Sequence, residues 1–408
     1  MKRRIAVTGL GVLCPIGNNL SQFEAGLIAG KNGISKNRNQ DTTDYISHLL
    51  GQIKGFSLAP ELREQYGHTL SKVEEYSLTA CLEAWNQAAL KPNDKELQRI
   101  GVVLGSGGSI EGIERFIDNS IREEAALPSK LLNVNPDVAG TFIANHLKLG
   151  GPKSSIMTAC SSGATAVGFA ADFIRNGYAD VMIAGGVESL STVTLSGFNS
   201  LGALSSGDIK PFSGDRDGII LGDGAGILIL ESYDHAIARG AQILTEFCAY
   251  GFTADGYHMT APHPQGAGLV KAMRQAVDDA GIRFEDIQYV NAHGTGTELN
   301  DKSETAALHH AFGEYANKLC VSSTKSMIGH TLSAAGAIES IATCLALMGQ
   351  FVPPTINYTL RDENCDLDYV PNKSRSLAMD YAMTNSLAFG GNNTSVIFKR
   401  VQNQGGEI

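Results

Sequence analysis

Residues 154–164 read SSIMTACSSGA, which is a short strand-like run, a turn that holds Cys160, and a helix start made of small residues. The pattern predicts a strand over residues 154–158 and a helix over residues 161–176. A strand that leads through a tight turn into a helix is the repeating unit of α/β proteins. This unit places the Cys160 thiol at a helix N-terminus, where the positive end of the helix dipole favours a thiolate.

The same alternation continues on both sides of this unit. Apolar runs predict further strands at residues 5–8, 100–104, 181–184, 226–230, 244–250, 287–291, 319–322, 383–387 and 395–398. Helical periodicity predicts helices at residues 20–28, 72–89, 268–280, 301–312 and 332–348. The fold class is therefore α/β. No linker divides the chain, and the loop-rich segment after Tyr250 predicts two packed, similar α/β halves, residues 1–250 and 251–408.

The composition is that of a globular protein with a large core. The 408 residues are 43% hydrophobic, and 32 Lys and Arg against 42 Asp and Glu give a net charge of −10. This excludes disordered and fibrous classes and argues against nucleic acid or an anionic membrane as a partner, because both need clustered basic residues. The seven cysteines are scattered without a CxxC pair, and no window approaches the roughly 20 apolar residues of a membrane span. We expect a cytoplasmic protein.

Weak cofactor and metal signals are set aside. Gly9 and Gly11 follow a strand, but the third glycine of a dinucleotide fingerprint would fall at Cys14. The phosphate-binding pattern GxxxxGK[ST] does not occur. His309 and His310 are adjacent in a predicted helix, so their rings point apart and cannot bind one ion together. We predict no metal site.

Polar motifs follow three predicted strands in the second half of the chain. His293 lies in NAHGTGT (291–297), and Lys325 and His330 lie in STKSMIGH (323–330). Each histidine is either a catalytic group or a locally bonded loop residue, as Cys160 is either a nucleophile or a buried helix-cap residue. A lysine facing both rings would hold them neutral by charge repulsion. NSLAFGGNN (385–393) ends a strand with a glycine pair that permits positive φ and close approach to a ligand.

Together TACSSG (158–163), NAHGTGT, STKSMIGH and NSLAFGGNN resemble the condensing enzymes of fatty-acid and type II polyketide synthesis. The chain is most similar to the β-ketoacyl-acyl carrier protein synthase II family of elongating ketosynthases, and the resemblance spans nearly its whole length. It implies the thiolase-like fold, with two similar α/β halves in five layers (αβαβα), and a homodimer. It also implies an acyltransferase with no separate cofactor, because the substrates are carried on the phosphopantetheine of an acyl carrier protein.

The resemblance implies a role for each site residue. Cys160 would be the nucleophile that takes an acyl chain, and His293 and His330 would stabilise the enolate formed when a malonyl thioester loses carbon dioxide. The backbone N–H groups of Cys160 and Phe389 would form an oxyanion hole, and the Phe389 ring would gate the acyl pocket. Further residues implied are the active-site lysine Lys325, its acidic neighbour Glu339, the supporting acids Asp301 and Glu304, and Thr295 and Thr297 for the pantetheine arm.

The chain departs from the family pattern at three places. Ala388 and Asn392 replace a glycine and a threonine of the usual GFGGTN, which predicts a stiffer or reshaped gating loop. Residues 204–210 lack an arginine that is common beside the entrance, and Ser71 precedes Lys72 where a basic pair is usual. The last two departures predict a dedicated carrier protein in place of the general fatty-acid carrier.

Other condensing enzymes fit less well. A coenzyme A thiolase would have a second cysteine in place of His330, an initiating synthase would have asparagine for one histidine, and a noncatalytic chain-length partner would lack Cys160. A specialised polyketide or polyene ketosynthase, working alone or in a heterodimer with a chain-length partner, stays open. In either case we expect activity to fall in acid near the usual histidine pKa of about 6.5.

Overall fold

The computed structural model describes residues 3–37, 42–67, 69–122 and 134–401. Its strands are β1 (Ile5–Leu13), β2 (Ser35–Lys36), β3 (Leu49–Leu50), β4 (Ile100–Gly105), β5 (Lys153–Ile156), β6 (Val181–Glu188), β7 (Gly224–Ser232), β8 (Thr245–Ala254), β9 (Ile287–Asn291), β10 (Cys320–Ser322), β11 (Phe351–Val352), β12 (Arg375–Ser376), β13 (Tyr381–Leu387) and β14 (Asn392–Arg400).

The α-helices in the same residues are α1 (Leu20–Ala29), α2 (Pro60–Tyr66), α3 (Lys72–Gln87), α4 (Asp94–Leu97), α5 (Ile110–Ile121), α6 (Val138–His146), α7 (Ser162–Arg175), α8 (Thr192–Ser200), α9 (Tyr233–Ala238), α10 (Ala267–Ala280), α11 (Glu298–Phe312), α12 (Lys325–Ile328) and α13 (Ala335–Gly349). Short 3-10 turns precede α7 and α13.

Ten strands form one sheet in the order β10-β9-β13-β14-β8-β1-β7-β6-β4-β5. β1 and β8 pair at its centre, antiparallel, through Ile5–Val7 and Thr245–Phe247. On each side of this junction, three parallel strands lie at the outer edge and two antiparallel strands lie inside. Numbered along the chain, both halves have the strand order third, second, fourth, fifth, first. The two halves therefore repeat one topology, although the sequence shows no close repeat.

The helices form three layers around the two half-sheets. α7 and α13 pack against each other, and each also contacts strands of both halves. α3 and α6 cover the outer face of the first half, and α10, with α11 packed on it, covers the outer face of the second. The result is five layers, αβαβα, so the predicted thiolase-like architecture is confirmed.

The middle layer contains a long apolar run. The run Leu332–Gly349 has a mean hydropathy of 1.5 and matches a membrane span in length and composition, in contrast to the expectation that no window would. It is 89% buried inside the protein, because it lies between the two half-sheets. Its many small residues let neighbouring backbones approach closely; a Cβ added at Gly336 would lie 2.6 Å from the Cβ of Ala164 on α7.

The position of a boundary between the halves stays a prediction. Residue 250 lies inside β8, so a division at 250/251 would cut a strand that pairs with β1 on one side and β14 on the other. The shared middle layer makes the two halves one packed body.

Candidate active site

A cavity of about 360 Å³ has Cys160 in its wall. Cys160 lies in a single 3-10 turn, Ala159–Ser161, that leads directly into α7. Ala159 has a φ of 48°, a left-handed conformation that disfavours any side chain. The strained turn presents Cys160 to the cavity at the start of the helix, and 7% of the residue is exposed.

The Cys160 sulfur is a buried thiol in this state. Burial raises its pKa to about 11, while the charge of Lys325 and the backbone N–H of Phe389 act to lower it. The expectation that the helix start would favour a thiolate is thus outweighed by desolvation. The N–H groups of Phe389 and of Cys160 itself both interact with the sulfur. The same two donors can therefore reach an oxygen atom bound beside it.

The rings of His293 and His330 line the same cavity. Their centroids are 5.3 Å apart and their planes meet at 85°. The Nζ of Lys325 lies 3.2 Å from Nδ1 of His293, and the backbone N–H of Leu332 donates to Nδ1 of His330 at 3.1 Å. Because Nδ1 accepts in both rings, the proton of each neutral imidazole lies on Nε2. Each ring then has one N–H left to donate.

Both rings are held neutral. Burial lowers the pKa of His293 and of His330 well below the ordinary value of 6.5, and the charge of Lys325 lowers both further. The predicted effect of Lys325 is confirmed in direction, although burial is the larger cause. Two neutral N–H donors suit an oxygen that gains negative charge, and they leave a carboxylate free of a strong ion pair.

Lys325 is compensated by a second buried charge. Its Nζ contacts Oε1 of Glu339, and both side chains are 1% exposed. Lys325 begins α12 directly after β10, and Glu339 lies in the first turns of α13. Removing one partner of such a pair costs about 3–5 kcal/mol, because the other charge stays buried and unpaired. The pair therefore fixes where the ammonium sits beneath the rings.

Two buried carboxylates hold the loop that carries His293. Oε1 and Oε2 of Glu304 accept the backbone N–H groups of His293 and Gly294, each at 2.8 Å. Oδ1 of Asp301 accepts the N–H of Gly296 at 3.2 Å. Asp301 and Glu304 lie three residues apart on α11, so both point at the loop from one helix face. They act on the ring through the backbone of its loop.

Thr295 and Thr297 lie in the cavity wall, with their Oγ1 atoms 3.0 Å apart. The glycine between them has a φ of 79°, and Gly294 has a φ of 38°. A Cβ at Gly294 would also lie 2.6 Å from the Cβ of Ser323. The GTGT pattern thus alternates glycines that shape a tight loop with threonines that line the cavity.

Phe389 lies in the turn between β13 and β14 and lines the cavity. Its ring stacks on Phe198 of α8, with centroids 5.7 Å apart and planes at 24°. The next two residues, Gly390 and Gly391, have φ values of 81° and 78°, as the glycine pair predicted. Ala388 is extended, with a φ of −138°, so alanine introduces no backbone strain at the position where the usual family pattern has glycine.

A second loop holds the turn Phe389–Gly391, named the gate turn after the role that the resemblance implies for Phe389, in place. Nδ2 of Asn393 donates to Oδ1 of Asp255 at 2.8 Å, and the N–H of Gly390 donates to the backbone oxygen of Met259 at 2.7 Å. Neither Asp255 nor Phe198 is given a site role by the sequence analysis. Phe198 lies in a helix that the periodicity does not predict, and Asp255 begins the loop DGYHMTAPHPQGAG (255–268), which resembles the family but has no residue assigned to the site. Only the fold brings them to Phe389.

The structure brings the predicted site residues together in two shells. Those in the cavity wall are Cys160, His293, Thr295, Thr297, His330 and Phe389. Those buried behind the wall are Asp301, Glu304, Lys325 and Glu339. A thiol and two imidazole donors in one cavity wall, with a lysine buried behind them, suit chemistry on a thioester.

Two family models match the chain. The model of the Beta-ketoacyl synthase N-terminal domain matches residues 2–236, and that of the Beta-ketoacyl synthase C-terminal domain matches residues 244–359. The chain belongs to the β-ketoacyl synthase family. It is an enzyme of the acyltransferase class, as the sequence motifs predict.

Curated relatives agree over nearly the full length. The protein named 3-oxoacyl-[acyl-carrier-protein] synthase 2 from Staphylococcus aureus (strain N315) is 41% identical, covering 98% of this chain and 99% of the relative. The protein of the same name from Synechocystis sp. is 40% identical with the same coverage. These relatives confirm the predicted β-ketoacyl-acyl carrier protein synthase II family.

Solved structures similar to this chain include ketosynthases and a β-ketoacyl synthase. "The ishigamide ketosynthase/chain length factor" has a TM-score of 0.91 and 33% identity, covering 98% of this chain and 100% of that one. A β-ketoacyl synthase from Burkholderia phymatum has the same TM-score, identity and coverage. A type II polyketide synthase ketosynthase solved with its acyl-carrier protein has a TM-score of 0.88 and 34% identity, with the same coverage.

Proposed function

We propose that this protein is a β-ketoacyl-acyl carrier protein synthase that extends an acyl chain on Cys160 by two carbons from a malonyl thioester. One observation carries the proposal. The Cys160 thiol and two neutral histidines, each with a free Nε2–H donor, line a single cavity.

The first half-reaction loads the acyl chain. The Cys160 sulfur attacks the carbonyl carbon of an acyl thioester, a new C–S bond forms, and the bond to the pantetheine sulfur breaks. The thiol proton passes to the departing pantetheine sulfur. The N–H groups of Cys160 and Phe389 stabilise the oxyanion formed on the way, and such donors are worth about 10²–10³ in rate.

The second half-reaction forms the new carbon–carbon bond. The malonyl thioester loses its carboxylate as carbon dioxide, and the electron pair forms an enolate whose oxygen accepts from Nε2–H of His293 and His330. The enolate carbon attacks the acyl carbonyl on Cys160, the C–S bond breaks, and the released thiolate takes a proton from water. Neutral rings serve this step, because a histidinium would bind the malonyl carboxylate and oppose its loss.

The substrates arrive on an acyl carrier protein, and the phosphopantetheine arm is part of the substrate. In this proposal the hydroxyls of Thr295 and Thr297, which lie in the cavity wall, bond the amides of that arm. No cofactor besides the arm is needed, because both half-reactions are acyl transfers without a redox step.

We further propose a dedicated carrier protein. The Ser71 hydroxyl accepts the N–H of Glu74 and caps α3, so this position is used for helix capping. Lys210 pairs with Asp215 at 2.6 Å, while Leu201 and Leu299 line the cavity with 57% and 61% exposure. A lysine that is already paired and apolar side chains suit a carrier with few acidic contacts. Equal turnover with a strongly acidic carrier at matched concentration would contradict this preference.

The protein acts as a dimer in this proposal. β5 ends the ten-stranded sheet and leaves one side of its backbone without a strand partner among the described residues. Met157, which follows it, is 68% exposed. An open strand edge beside an exposed apolar residue suits pairing with a second copy or with a chain-length partner. Mass measurement in solution, alone and with such a partner, separates homodimer from heterodimer.

Intact-protein mass spectrometry tests the reaction itself. The enzyme is mixed with saturated and polyunsaturated acyl-carrier proteins and malonyl-carrier protein, and both the Cys160 adduct and the extended product are followed. Extension of saturated chains without another subunit supports a fatty-acid elongation enzyme. The specialised polyketide alternative is favoured by the similarity to the ishigamide ketosynthase/chain length factor. It predicts loading of unsaturated chains only, or condensation only with an added partner.

A further inference from the structure

We propose that Thr165 and Thr394 are positioning residues, which set the spacing of the two oxyanion-hole donors. The hydrogen bond between their hydroxyls joins α7 to β14 and is named the tie. This inference rests on the proposed function, because it assigns the N–H groups of Cys160 and Phe389 to the acyl-transfer step. The two hydroxyl oxygens are 2.8 Å apart, and both residues are buried.

The Thr165 end of the tie reaches the nucleophile turn. Oγ1 of Thr165 donates to the backbone oxygen of Ser161, the residue after Cys160, at 2.9 Å. It also accepts from Oγ1 of Thr158, which precedes the strained Ala159, at 3.3 Å. The turn that carries Cys160 is thereby bonded to Thr165 from both of its ends.

The Thr394 end reaches the gate turn. Thr394 lies in β14, five positions after Phe389, and pairs with Ser386 of β13 and Phe252 of β8. Neighbouring strand residues point to opposite faces of a sheet. Asn393 accordingly bonds Asp255 on one side, and Thr394 bonds Thr165 on the other. The strand that begins at the gate turn is held from both faces.

The number of hydroxyl protons determines which threonine donates in the hydrogen bond between Thr165 and Thr394. Thr165 has one hydroxyl proton, and the Ser161 carbonyl can only accept, so that proton goes to Ser161. Thr158 and Thr394 must then both donate to Thr165. Valine at position 394 would remove the only donor of that side chain, whereas serine would keep it.

A directional tie is needed because the two donors come from distant parts of the chain. Thr165 and Thr394 are 229 positions apart, and the hydrophobic packing of α7 against the strands is non-directional. Catalytic donors must be held within roughly 0.5 Å of the productive geometry. A single buried hydrogen bond between the two elements supplies that constraint.

The experiment compares four variants in the full-length protein: Thr394→Val, Thr165→Val, the double variant and Thr394→Ser. The rate of Cys160 acylation from acyl-carrier protein is measured in a single turnover, alongside carbon dioxide release from malonyl-carrier protein and the melting temperature. We expect each valine variant to acylate about tenfold more slowly, with little change in decarboxylation. The double variant should be no slower than either single one, and Thr394→Ser should restore most of the rate.

Thr245→Val is the matched control, because Thr245 is buried and its hydroxyl bonds the Cys344 sulfur away from the cavity. It should acylate at the wild-type rate. The inference is overturned if Thr394→Val acylates normally, if Thr394→Ser is as slow as Thr394→Val, or if both half-reactions slow together with a fall in melting temperature. A wild-type enzyme that forms no Cys160 adduct would instead refute the proposed function, and the inference with it.

Discussion

The Nζ of Lys325 lies 3.2 Å from Nδ1 of His293 and also contacts the carboxylate of Glu339. One buried ammonium thus has two effects on the histidine rings. It lowers the pKa of the neighbouring rings, and it fixes the proton of His293 on Nε2 by donating to Nδ1. Glu339 supplies the opposite charge that keeps the ammonium tolerable in the core. The chemistry proposed for the rings depends on this arrangement.

Cys160→Ala should form no acyl adduct and should lose condensation by about 10⁴-fold or more, because it removes the nucleophile. Intact-mass analysis after exposure to acyl-carrier protein measures the adduct. Cys14→Ala is a suitable control, because Cys14 is buried in the core and does not line the cavity. Full condensation by the Cys160 variant would overturn the assignment.

His293→Ala and His330→Ala should still acylate Cys160 and should release carbon dioxide from malonyl-carrier protein about 100-fold more slowly or worse, because each removes one donor to the enolate. The two rates are measured separately, by adduct mass and by carbon dioxide release. His309→Ala should behave as wild type, since His309 bonds Asp366 at the surface. Loss of acylation alone in the His293 and His330 variants would reverse the proposed roles.

The acid limb of the pH–rate profile should lie below the ordinary histidine pKa of about 6.5, because burial and Lys325 lower the pKa of both rings. This corrects the expectation that activity falls near the usual histidine pKa of about 6.5. The same shifts make stability fall in acid, because the unfolded histidines take up protons below about pH 6.5 while the folded ones resist.

A pair of substitutions that keeps the net charge unchanged tests directly whether Lys325 lowers the pKa of the two histidines. Lys325→Met combined with Glu339→Gln removes the ammonium without leaving a lone buried charge, so the acid limb should move to higher pH. The pH dependence of condensation measures it for both proteins. A wild-type limb at or above the ordinary value, or an unmoved limb in the double variant, would contradict the account.

Glu304→Gln should lower the free energy of unfolding by about 1–3 kcal/mol and slow decarboxylation, because glutamine keeps one acceptor for two backbone donors. Burial raises the pKa of Glu304 to about 7, so the comparison is made above that pH, where the carboxylate is charged. Denaturant unfolding and carbon dioxide release give the two values. Glu314→Gln, at an exposed position, is the control, and equal behaviour of both variants would refute the loop-holding role.

Gly391→Ala should destabilise the protein by about 1–3 kcal/mol, because it combines a positive φ with a crowded site. The φ is 78°, and the new Cβ would lie 2.9 Å from the Cβ of Asp255. Ala388→Gly, three residues earlier, should change stability by less than about 1 kcal/mol, because residue 388 is extended. Denaturant midpoints compare the two. A harmless Gly391→Ala would show that the gate turn is not strained.

The strand–helix alternation is predicted well because it depends on local periodicity. The predicted strand at residues 287–291 matches β9, and the helix predicted at 268–280 differs from α10 by one residue. The sequence periodicity does not predict α5 or α8. Helix α8 carries Phe198, which stacks on Phe389. Its TVTLSGFNS sequence has β-branched residues and a glycine, so its helical state depends on tertiary contacts.

The sequence by itself determined the family, the alternating α/β pattern and the residue types around the cavity, because these are properties of contiguous motifs. Only the tertiary structure decided their chemical states. The raised pKa of Cys160, the neutral rings and the Nε2 protons follow from burial and from partners distant in the chain, such as Leu332 and Lys325. The tie from Thr165 to Thr394 and the matching strand order of the two halves are likewise contacts between remote segments. Desolvation and hydrogen-bond geometry depend on three-dimensional distance, which local sequence patterns do not encode.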